Sequence, residues 1–146
     1  MYLLGYDIGS SSVKASIIDA ESNTSVAQAV SPGDEMGMIV HREGWAEQRP
    51  EDWWFHVKET TRMLSAKIGL AMREISAVGI AYQMHGLVLV DQGMNVLRPS
   101  IIWCDSRAVE TGKKTETLLG AEKCLSRLLN LPGNFTFSKL RWVLEH

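Results

Sequence analysis

Residues 3–19 read LLGYDIGSSSVKASIID, in which two apolar segments flank a small, hydroxyl-rich turn. Apolar residues that resume directly after such a turn predict two short strands joined as a hairpin. Gly9 lacks a Cβ and tolerates a positive φ, so the backbone of the turn can come close to a ligand. Asp7 precedes the turn and Lys14 follows it, so we expect a carboxylate and an ammonium beside it.

The polar groups of this turn suit a magnesium-complexed polyphosphate. Three consecutive serines (Ser10, Ser11 and Ser12) supply hydroxyls and amides, which together with Lys14 can bind phosphate oxygens. Asp7 can bind the metal ion or its waters. Asp and Gly are also common in hairpin turns, so an ordinary turn remains the alternative for this stretch taken alone.

Two better-known phosphate-binding motifs are absent from the chain. The sequence contains neither G-x-x-x-x-G-K-[ST] nor a G-x-G-x-x-G turn that opens a helix. The strand–turn–strand pattern instead resembles the phosphate-binding hairpin of actin-like, ribonuclease H-like ATPases. This resemblance implies an α/β fold with a mixed sheet that begins as a β-meander and has flanking helices.

Composition limits the classes to which the protein can belong. The 146 residues, 45% hydrophobic and 22% charged with a net charge of −2, suffice for one soluble domain with a core. No basic excess points to nucleic acid, and no apolar run predicts a membrane span or a secretory signal. Two cysteines, Cys104 and Cys124, favour a reducing, cytoplasmic setting over a disulfide framework. The histidines show no ligand spacing with these cysteines, so we expect no structural zinc.

Hydrophobic periodicity predicts strands first and helices later, which is an α/β order. A proline and two acidic residues, Pro50-Glu51-Asp52, predict the start of the first helix. We expect Ala77–Ala81 to be a buried strand. The predicted strands are 2–8, 12–19, 24–30, 38–40, 77–81, 87–90 and 101–103, and the predicted helices are 51–70, 106–119, 121–129 and 135–143.

A second group of polar residues, Gln83-Met84-His85-Gly86, lies between two predicted strands. Imidazole and amide groups each donate and accept hydrogen bonds, so a sharp turn bearing Gln83 and His85 can recognise a polyhydroxylated ligand. In the alternative interpretation His85 caps a strand end and Met84 fills the core. Likewise, Trp103 can be a core residue and Asp105 the cap of the following helix.

Five segments of the chain follow the order seen in the FGGY carbohydrate kinases, and together they span nearly its whole length. They are DIGSSSVK (7–14), GWAEQRPEDWW (44–54), AYQMHG (81–86), IIWCDSR (101–107) and NFTFSKLRW (134–142). Within that family the QMHG tetrapeptide resembles the xylulokinase branch. Glycerol kinases usually carry Arg-Glu in place of Met84-His85, and gluconate kinases share Met-His with different flanks.

This resemblance implies a role for each matching residue. Asp7 corresponds to the metal-and-phosphate carboxylate, and Lys14 to a basic residue near the phosphates of Mg-ATP. Met84 and His85 match the pair that contacts the sugar, here D-xylulose, and Gln83, Trp103 and Asp105 are weaker candidates for the same contact. The loop residues that match the phosphate-binding turn are Gly9, Ser10, Ser11 and Ser12. We assign the tryptophans of 45–54 to the core.

The resemblance also implies that residues 1–143 are the N-terminal domain of a longer enzyme. The general base and most adenosine contacts would lie in a C-terminal domain beyond this chain, so we expect the isolated chain to be inactive. Val143 lies in mid-helix, and residues 144–146 resemble a purification-tag scar. A truncated domain would expose an apolar face, so a homodimer is possible without biological meaning.

The expected function is ATP-dependent transfer of a phosphoryl group to the terminal hydroxyl of D-xylulose. A sibling kinase for another ketose, polyol or sugar acid is the first alternative. A non-catalytic sugar- or nucleotide-binding module is the second, and a structural or oligomerisation piece is the third. Products formed across a panel of sugars separate a D-xylulose kinase from a sibling kinase, and tight ligand binding by the isolated chain would favour the binding module.

Overall fold

The computed structural model describes residues 1–69 and 71–146, which group into two compact units. The first unit comprises residues 1–37 and 50–83, and the second comprises 38–49 and 84–146. None of the helices in these described ranges is long and apolar enough to cross a membrane.

The first unit begins with the predicted meander. Strands β1 (Tyr2–Ile8), β2 (Val13–Asp19) and β3 (Thr24–Ser31) pair antiparallel in chain order. The register aligns Asp7 with Lys14, so the two charged residues predicted beside the turn are cross-strand partners. The three predicted strands are confirmed to within one residue.

A helix and a fourth strand complete this unit. Helix α1 (Pro50–Ile68) begins at the predicted proline and acidic residues, which suit the positive end of a helix dipole. Residue 70, where the sequence places the end of the helix, lies outside the described residues. Strand β5 (Ile75–Tyr82) pairs parallel with β1, which makes a mixed sheet in the order β3-β2-β1-β5.

The core of the first unit lies between α1 and the meander. Helix α1 packs against β2 and β3. The apolar side chains that close this layer share near-complete burial: Leu4, Ala15, Ile17, Ala29 and Leu64. Burial of each large aliphatic side chain contributes about 1.5–3 kcal/mol, so these residues hold the β1–β2 hairpin rigidly in place.

The strand predicted at 77–81 is present within β5, but the expectation that it is buried is wrong. Strand β5 lies at the edge of the described sheet, and Val78, Ile80 and Tyr82 are exposed. Trp54 is exposed as well, so its assignment to the core is also wrong. Trp54 and Ile80 line an open apolar recess of about 840 Å³. An apolar stretch of sequence indicates that its side chains favour burial, but it does not indicate whether other described residues pack over them.

The second unit contains little sheet. Strands β4 (Glu47–Gln48) and β6 (Ser100–Ile101) form one antiparallel pair. The expected strands at 38–40 and 87–90 are wrong, because only isolated bridges occur there, at Ile39, Leu87 and Val90. Short apolar runs favour strands, but these lack a continuous partner with which to form a ladder.

Three helices form the rest of the second unit: α2 (Val109–Leu119), α3 (Ala121–Leu128) and α4 (Thr136–Glu145). Helix α2 begins three residues later than expected. Both α2 and α4 pack against the short 3₁₀ turn Pro132–Asn134. Gly112 of α2 makes this packing possible, because a Cβ there would lie 2.4 Å from the Cα of Gly133.

Candidate functional site

The loop between β1 and β2 is closed by its own backbone. The amide of Gly9 donates to the carbonyl oxygen of Ser12 across 3.1 Å. A Cβ on Gly9 would lie 3.0 Å from that oxygen, which is closer than nearly all real contacts. Gly9 does not have a positive φ, so the reason for glycine here differs from the expected one. Close approach of the backbone, and not left-handed geometry, requires it.

Asp7 and Lys14 stand beside this loop as an open ion pair. The Lys14 Nζ lies 3.5 Å from Asp7 Oδ2, and the side chains are 61% and 54% exposed. An exposed pair of this kind contributes only about 0–1 kcal/mol to stability. Both groups are therefore accessible to a charged ligand, with Asp7 available to a cation and Lys14 to phosphate.

The segment that follows β3 supports the other side of the loop. The amide of Met36 donates to Ser11 O across 2.7 Å. A recess of about 320 Å³ lies beside Ser11 and Ser12 and is also lined by Asp34 and Glu35. Two carboxylates at this recess repel a bare phosphate, whereas a cation-complexed phosphate is tolerated.

The donor set at the loop fits a magnesium ion shared with phosphate. Mg²⁺ is commonly held by one or two carboxylates together with substrate phosphates. Across residues 1–69 and 71–146, no cluster of three or more His, Cys, Asp or Glu side chains could hold a metal ion alone. A divalent ion at Asp7 would therefore need oxygen ligands from elsewhere, which a nucleotide's phosphates can supply.

Gln83 belongs to the first unit and lies at the end of β5. Its amide donates to Ile8 O across 3.1 Å, which places Gln83 beside the strand that leads into the loop. Its side-chain Oε1 and Nε2 are buried and have no hydrogen-bond partner among the described residues. An unsatisfied buried polar group costs about 1–3 kcal/mol, so this amide is a candidate ligand contact.

Met84 and His85 form a sharp turn in the second unit. His85 has a φ of 61°, a left-handed conformation that is uncommon outside glycine. Its ring stacks on Phe135 with centroids 4.7 Å apart, and the Met84 side chain is 66% exposed. The alternative in which Met84 fills the core is therefore wrong, and the thioether is available to a ligand.

The start of α4 holds this turn in place. Lys139 Nζ donates to His85 O at 2.8 Å and to Asn134 O at 3.1 Å. Thr136 Oγ1 donates to the neighbouring carbonyl, Gly86 O, at 3.2 Å. Sequence reasoning gave Lys139 no role, although it lies in one of the five recognised segments.

Trp103 is linked to the same network. Its side chain is 49% exposed, and its carbonyl oxygen accepts a hydrogen bond from Asn134 Nδ2. Asn134 in turn accepts from Lys139. The structure therefore brings three expected sugar-contact residues, Met84, His85 and Trp103, onto one hydrogen-bonded framework within the second unit.

Asp105 does not join them as an accessible contact. Its side chain has no exposed surface, and its carboxylate accepts bonds from the amides of Ala46 (2.6 Å) and Arg107 (2.9 Å). The Arg107 guanidinium also donates to both carboxylate oxygens. The expected direct contact between Asp105 and a sugar is therefore not supported, because every approach to the carboxylate is occupied by protein.

Arg107 is the centre of a buried charge cluster that sequence reasoning missed. Its Nη1 donates to Glu47 Oε1 at 2.6 Å, and its guanidinium lies 3.9 Å from the Trp45 ring centroid. Trp142 packs edge-on to Trp45 and also faces the guanidinium. Two carboxylates and two aromatic faces thus satisfy one arginine. Glu47 and Arg107 both lie in segments that resemble the FGGY kinases (44–54 and 101–107), and this was the one feature of the sequence that could have pointed to them.

Burial changes the ionisation of Lys139. Desolvation lowers the pKa of its ammonium from the usual 10.5 to about 8, and the Asp105 carboxylate acts in the opposite direction. Lys139 is therefore still protonated at neutral pH. It donates charge-assisted hydrogen bonds, which are shorter and stronger than neutral ones.

Comparison with known proteins shows the family to which the chain is similar. Residues 2–146 match the model of the FGGY family of carbohydrate kinases, N-terminal domain. The chain is 35% identical to the xylulose kinase of Klebsiella pneumoniae over 146 residues, which is 100% of this chain and 29% of that protein. It is 33% identical to the xylulose kinase of Escherichia coli strain K12 over the same length, covering 28% of that protein.

A solved structure supports the same assignment. The xyloylose kinase from Brucella ovis superposes with a TM-score of 0.88 at 31% identity, covering 100% of this chain and 30% of that one. The chain thus spans less than a third of the length of each of these relatives. The fold is that of the actin-like ATPases, which confirms the fold that the resemblance of the strand–turn–strand segment implied. The chain belongs to the FGGY family of carbohydrate kinases, in the region of its N-terminal domain.

Proposed function

We propose that the complete protein carrying this domain transfers a phosphoryl group from Mg-ATP to the terminal hydroxyl of D-xylulose. The observation that carries the proposal is the open Asp7–Lys14 pair beside a loop whose backbone closes on Gly9. This arrangement presents one carboxylate, one ammonium and several hydroxyls together. Relatives named xylulose kinase, which align with the chain from end to end, support the choice of sugar.

The first unit would bind the phosphates of the nucleotide. When bound, Mg²⁺ would neutralise phosphate charge and orient the transferred group. Asp7 would hold that ion or its waters, and Lys14 would pair with phosphate oxygens. The loop residues Gly9, Ser10, Ser11 and Ser12 would add amide and hydroxyl donors at close range.

The second unit would bind the sugar. The His85 imidazole can donate to one hydroxyl and accept from another, while its stacking on Phe135 holds the ring in one orientation. Met84 and Trp103 would cover the apolar carbon skeleton with their exposed side chains. In the first unit, the Gln83 side-chain amide has no partner among the described residues and is a separate candidate for a polar ligand contact.

The remaining parts of the active site would come from elsewhere in a longer polypeptide. The chain spans about 29% of the Klebsiella relative, and we propose that the general base and adenosine contacts lie in the remainder. A positioned base contributes about 10²–10⁴-fold to rate. The 146-residue chain alone should therefore fold but not catalyse.

The decisive experiment measures ATP consumption by the complete gene product. D-xylulose, L-ribulose, glycerol and gluconate are each supplied with Mg-ATP, and the 146-residue chain is assayed in parallel. Selective turnover of D-xylulose by the complete protein alone supports the proposal. Selective turnover of another sugar establishes a sibling kinase. Binding without turnover by the complete protein establishes a binding module instead.

Two further expectations, a cytoplasmic setting and a homodimer, belong to the same proposal. A reducing, cytoplasmic setting is supported by Cys104 and Cys124, neither of which forms a disulfide. The homodimer expected from the sequence is tested by light scattering on the complete protein and on the 146-residue chain. A dimer of the short chain alone would reflect an uncovered apolar face.

A further inference from the structure

Lys139 is a fully buried charged group that the proposed chemistry leaves without a role. It has no exposed surface, although it carries one of the most strongly hydrated charges in proteins. Removal of such a charge from water is costly unless hydrogen bonds replace the water. Two main-chain carbonyls, His85 O and Asn134 O, supply those bonds.

These two carbonyls belong to the backbone that presents the expected sugar contacts. His85 has the left-handed φ of 61°, which persists only where surrounding contacts enforce it. Lys139 provides such a contact directly on the carbonyl of that residue. On its other side, Asn134 carries the contact onward to the carbonyl of Trp103. The Lys139 ammonium thus contacts the His85 turn directly and the Trp103 backbone through Asn134.

We propose that Lys139 is a positioning residue that sets the geometry of the Met84–His85 turn and thereby the affinity for the sugar. This inference rests on the proposed function for its ligand, but its structural part does not. Lys139 does not touch the reacting atoms. It acts through the orientation of the His85 imidazole and through the Asn134 link to Trp103.

The geometry calls for lysine in particular. A compact ammonium directs three donors from a single nitrogen, whereas the planar guanidinium of arginine is larger and presents a rigid fork. Residue 139 is fully enclosed, so the larger group has no space to expand without moving the turn. A methionine fills about the same volume but leaves the carbonyls of His85 and Asn134 without their donor.

The test compares Lys139→Met, Lys139→Arg and the control Lys123→Met in the complete protein. Lys123 lies on the exposed face of α3, so its loss removes the same charge without touching the turn. For Lys139→Met we expect the KM for D-xylulose to rise about 10- to 100-fold. The KM for ATP should stay within about twofold, and Lys139→Arg should not rescue the sugar KM.

A second variant protects the test against a failure to fold. Lys139→Gln retains a neutral donor of similar shape and should fold if Lys139→Met does not. We expect it to raise the sugar KM by a smaller factor than methionine, again with the ATP KM unchanged. A Lys139→Met or Lys139→Gln protein that folds and keeps the wild-type sugar KM would overturn the proposal.

A readout that needs no sugar separates this inference from the proposed function. Amide chemical shifts of Met84, His85 and Gly86, measured by NMR, should move in the Lys139 variants and stay unchanged in Lys123→Met. If the wild-type protein turns over no sugar, the proposed function fails while these shifts still report on the turn. Unchanged shifts in a folded Lys139 variant would refute the positioning role itself.

Discussion

Asp7 and Lys14 face each other across the β1–β2 hairpin, with Asp7 Oδ2 and Lys14 Nζ 3.5 Å apart and both side chains open to solvent. The pair is too exposed to matter for folding, and it flanks a loop that the backbone closes tightly. The carboxylate and the ammonium are therefore both available to a ligand. This relationship makes the phosphate-binding role testable separately from stability.

Replacement of Asp7 by Asn should abolish turnover without harm to the fold. The amide cannot match the carboxylate as a ligand for Mg²⁺, so we expect kcat in the complete protein to fall at least about 100-fold. Sugar affinity and unfolding free energy should change by less than about 0.5 kcal/mol, because the side chain is exposed. Steady-state kinetics with calorimetric sugar binding check this, and wild-type turnover would exclude the assigned role.

Gly9→Ala should distort the loop because the new Cβ would lie 3.0 Å from Ser12 O. We expect a loss of about 1–3 kcal/mol in unfolding free energy and a raised KM for ATP. Gly37→Ala is the matched control, since no atom lies within 4 Å of a Cβ built there. Urea denaturation and ATP kinetics provide the comparison, and equal behaviour of the two variants would contradict the tight-closure argument.

His85→Ala tests the imidazole as a sugar contact. Loss of a buried hydroxyl partner costs about 1–3 kcal/mol, so the sugar KM should rise about 5- to 150-fold while the ATP KM stays constant. Alanine also strains the left-handed backbone at φ 61°. His85→Gly removes that strain, so a loss of affinity shared by both variants assigns the effect to the ring. Recovery in the glycine variant would assign it to the backbone.

Lys139 should make stability depend on pH in the alkaline range. Burial lowers the pKa of Lys139 to about 8 in the folded protein, compared with 10.5 in the unfolded chain. Asp105 and Cys104 act to raise this pKa, whereas Arg107 acts to lower it. Between these values the unfolded chain binds more protons, so unfolding free energy rises with pH. Below pH 8 this contribution is flat. Urea melts of wild type and Lys139→Met from pH 7 to 10 should diverge in favour of wild type, and parallel curves would refute the shift.

Arg107→Met should be among the most destabilising substitutions in the second unit. It leaves the Asp105 carboxylate buried without its cation and Glu47 with Arg98 as its remaining partner, and loss of a buried ion-pair partner typically costs about 3–5 kcal/mol. Lys113→Met is the control, because the Glu110–Lys113 pair is exposed and contributes about 0.5 kcal/mol or less. Thermal unfolding measures both. Similar melting temperatures for the two variants would show that the cluster is not essential.

Sequence patterns predicted structure best where an element depends only on residues that are close together in the chain. The meander and α1 follow from hydrophobic spacing, a proline start and tight turns, all of which act within a few residues of the chain. The turn at Met84-His85 was likewise readable from its residues. The runs at 38–40 and 87–90 were misread as strands, because a strand depends on a partner that is distant in sequence.

Within the candidate site, some properties follow from the sequence and others only from the tertiary structure. The residue types near the β1–β2 turn, and their order along the chain, already predicted a phosphate-binding chemistry, because carboxylate, ammonium and hydroxyl groups keep their chemistry in any fold. Folding settled the burial of Asp105, the exposure of Trp54 and β5, and the bond from Lys139 to His85, 54 residues away. Those outcomes depend on packing between distant segments, which determines the water and the partners that each side chain meets.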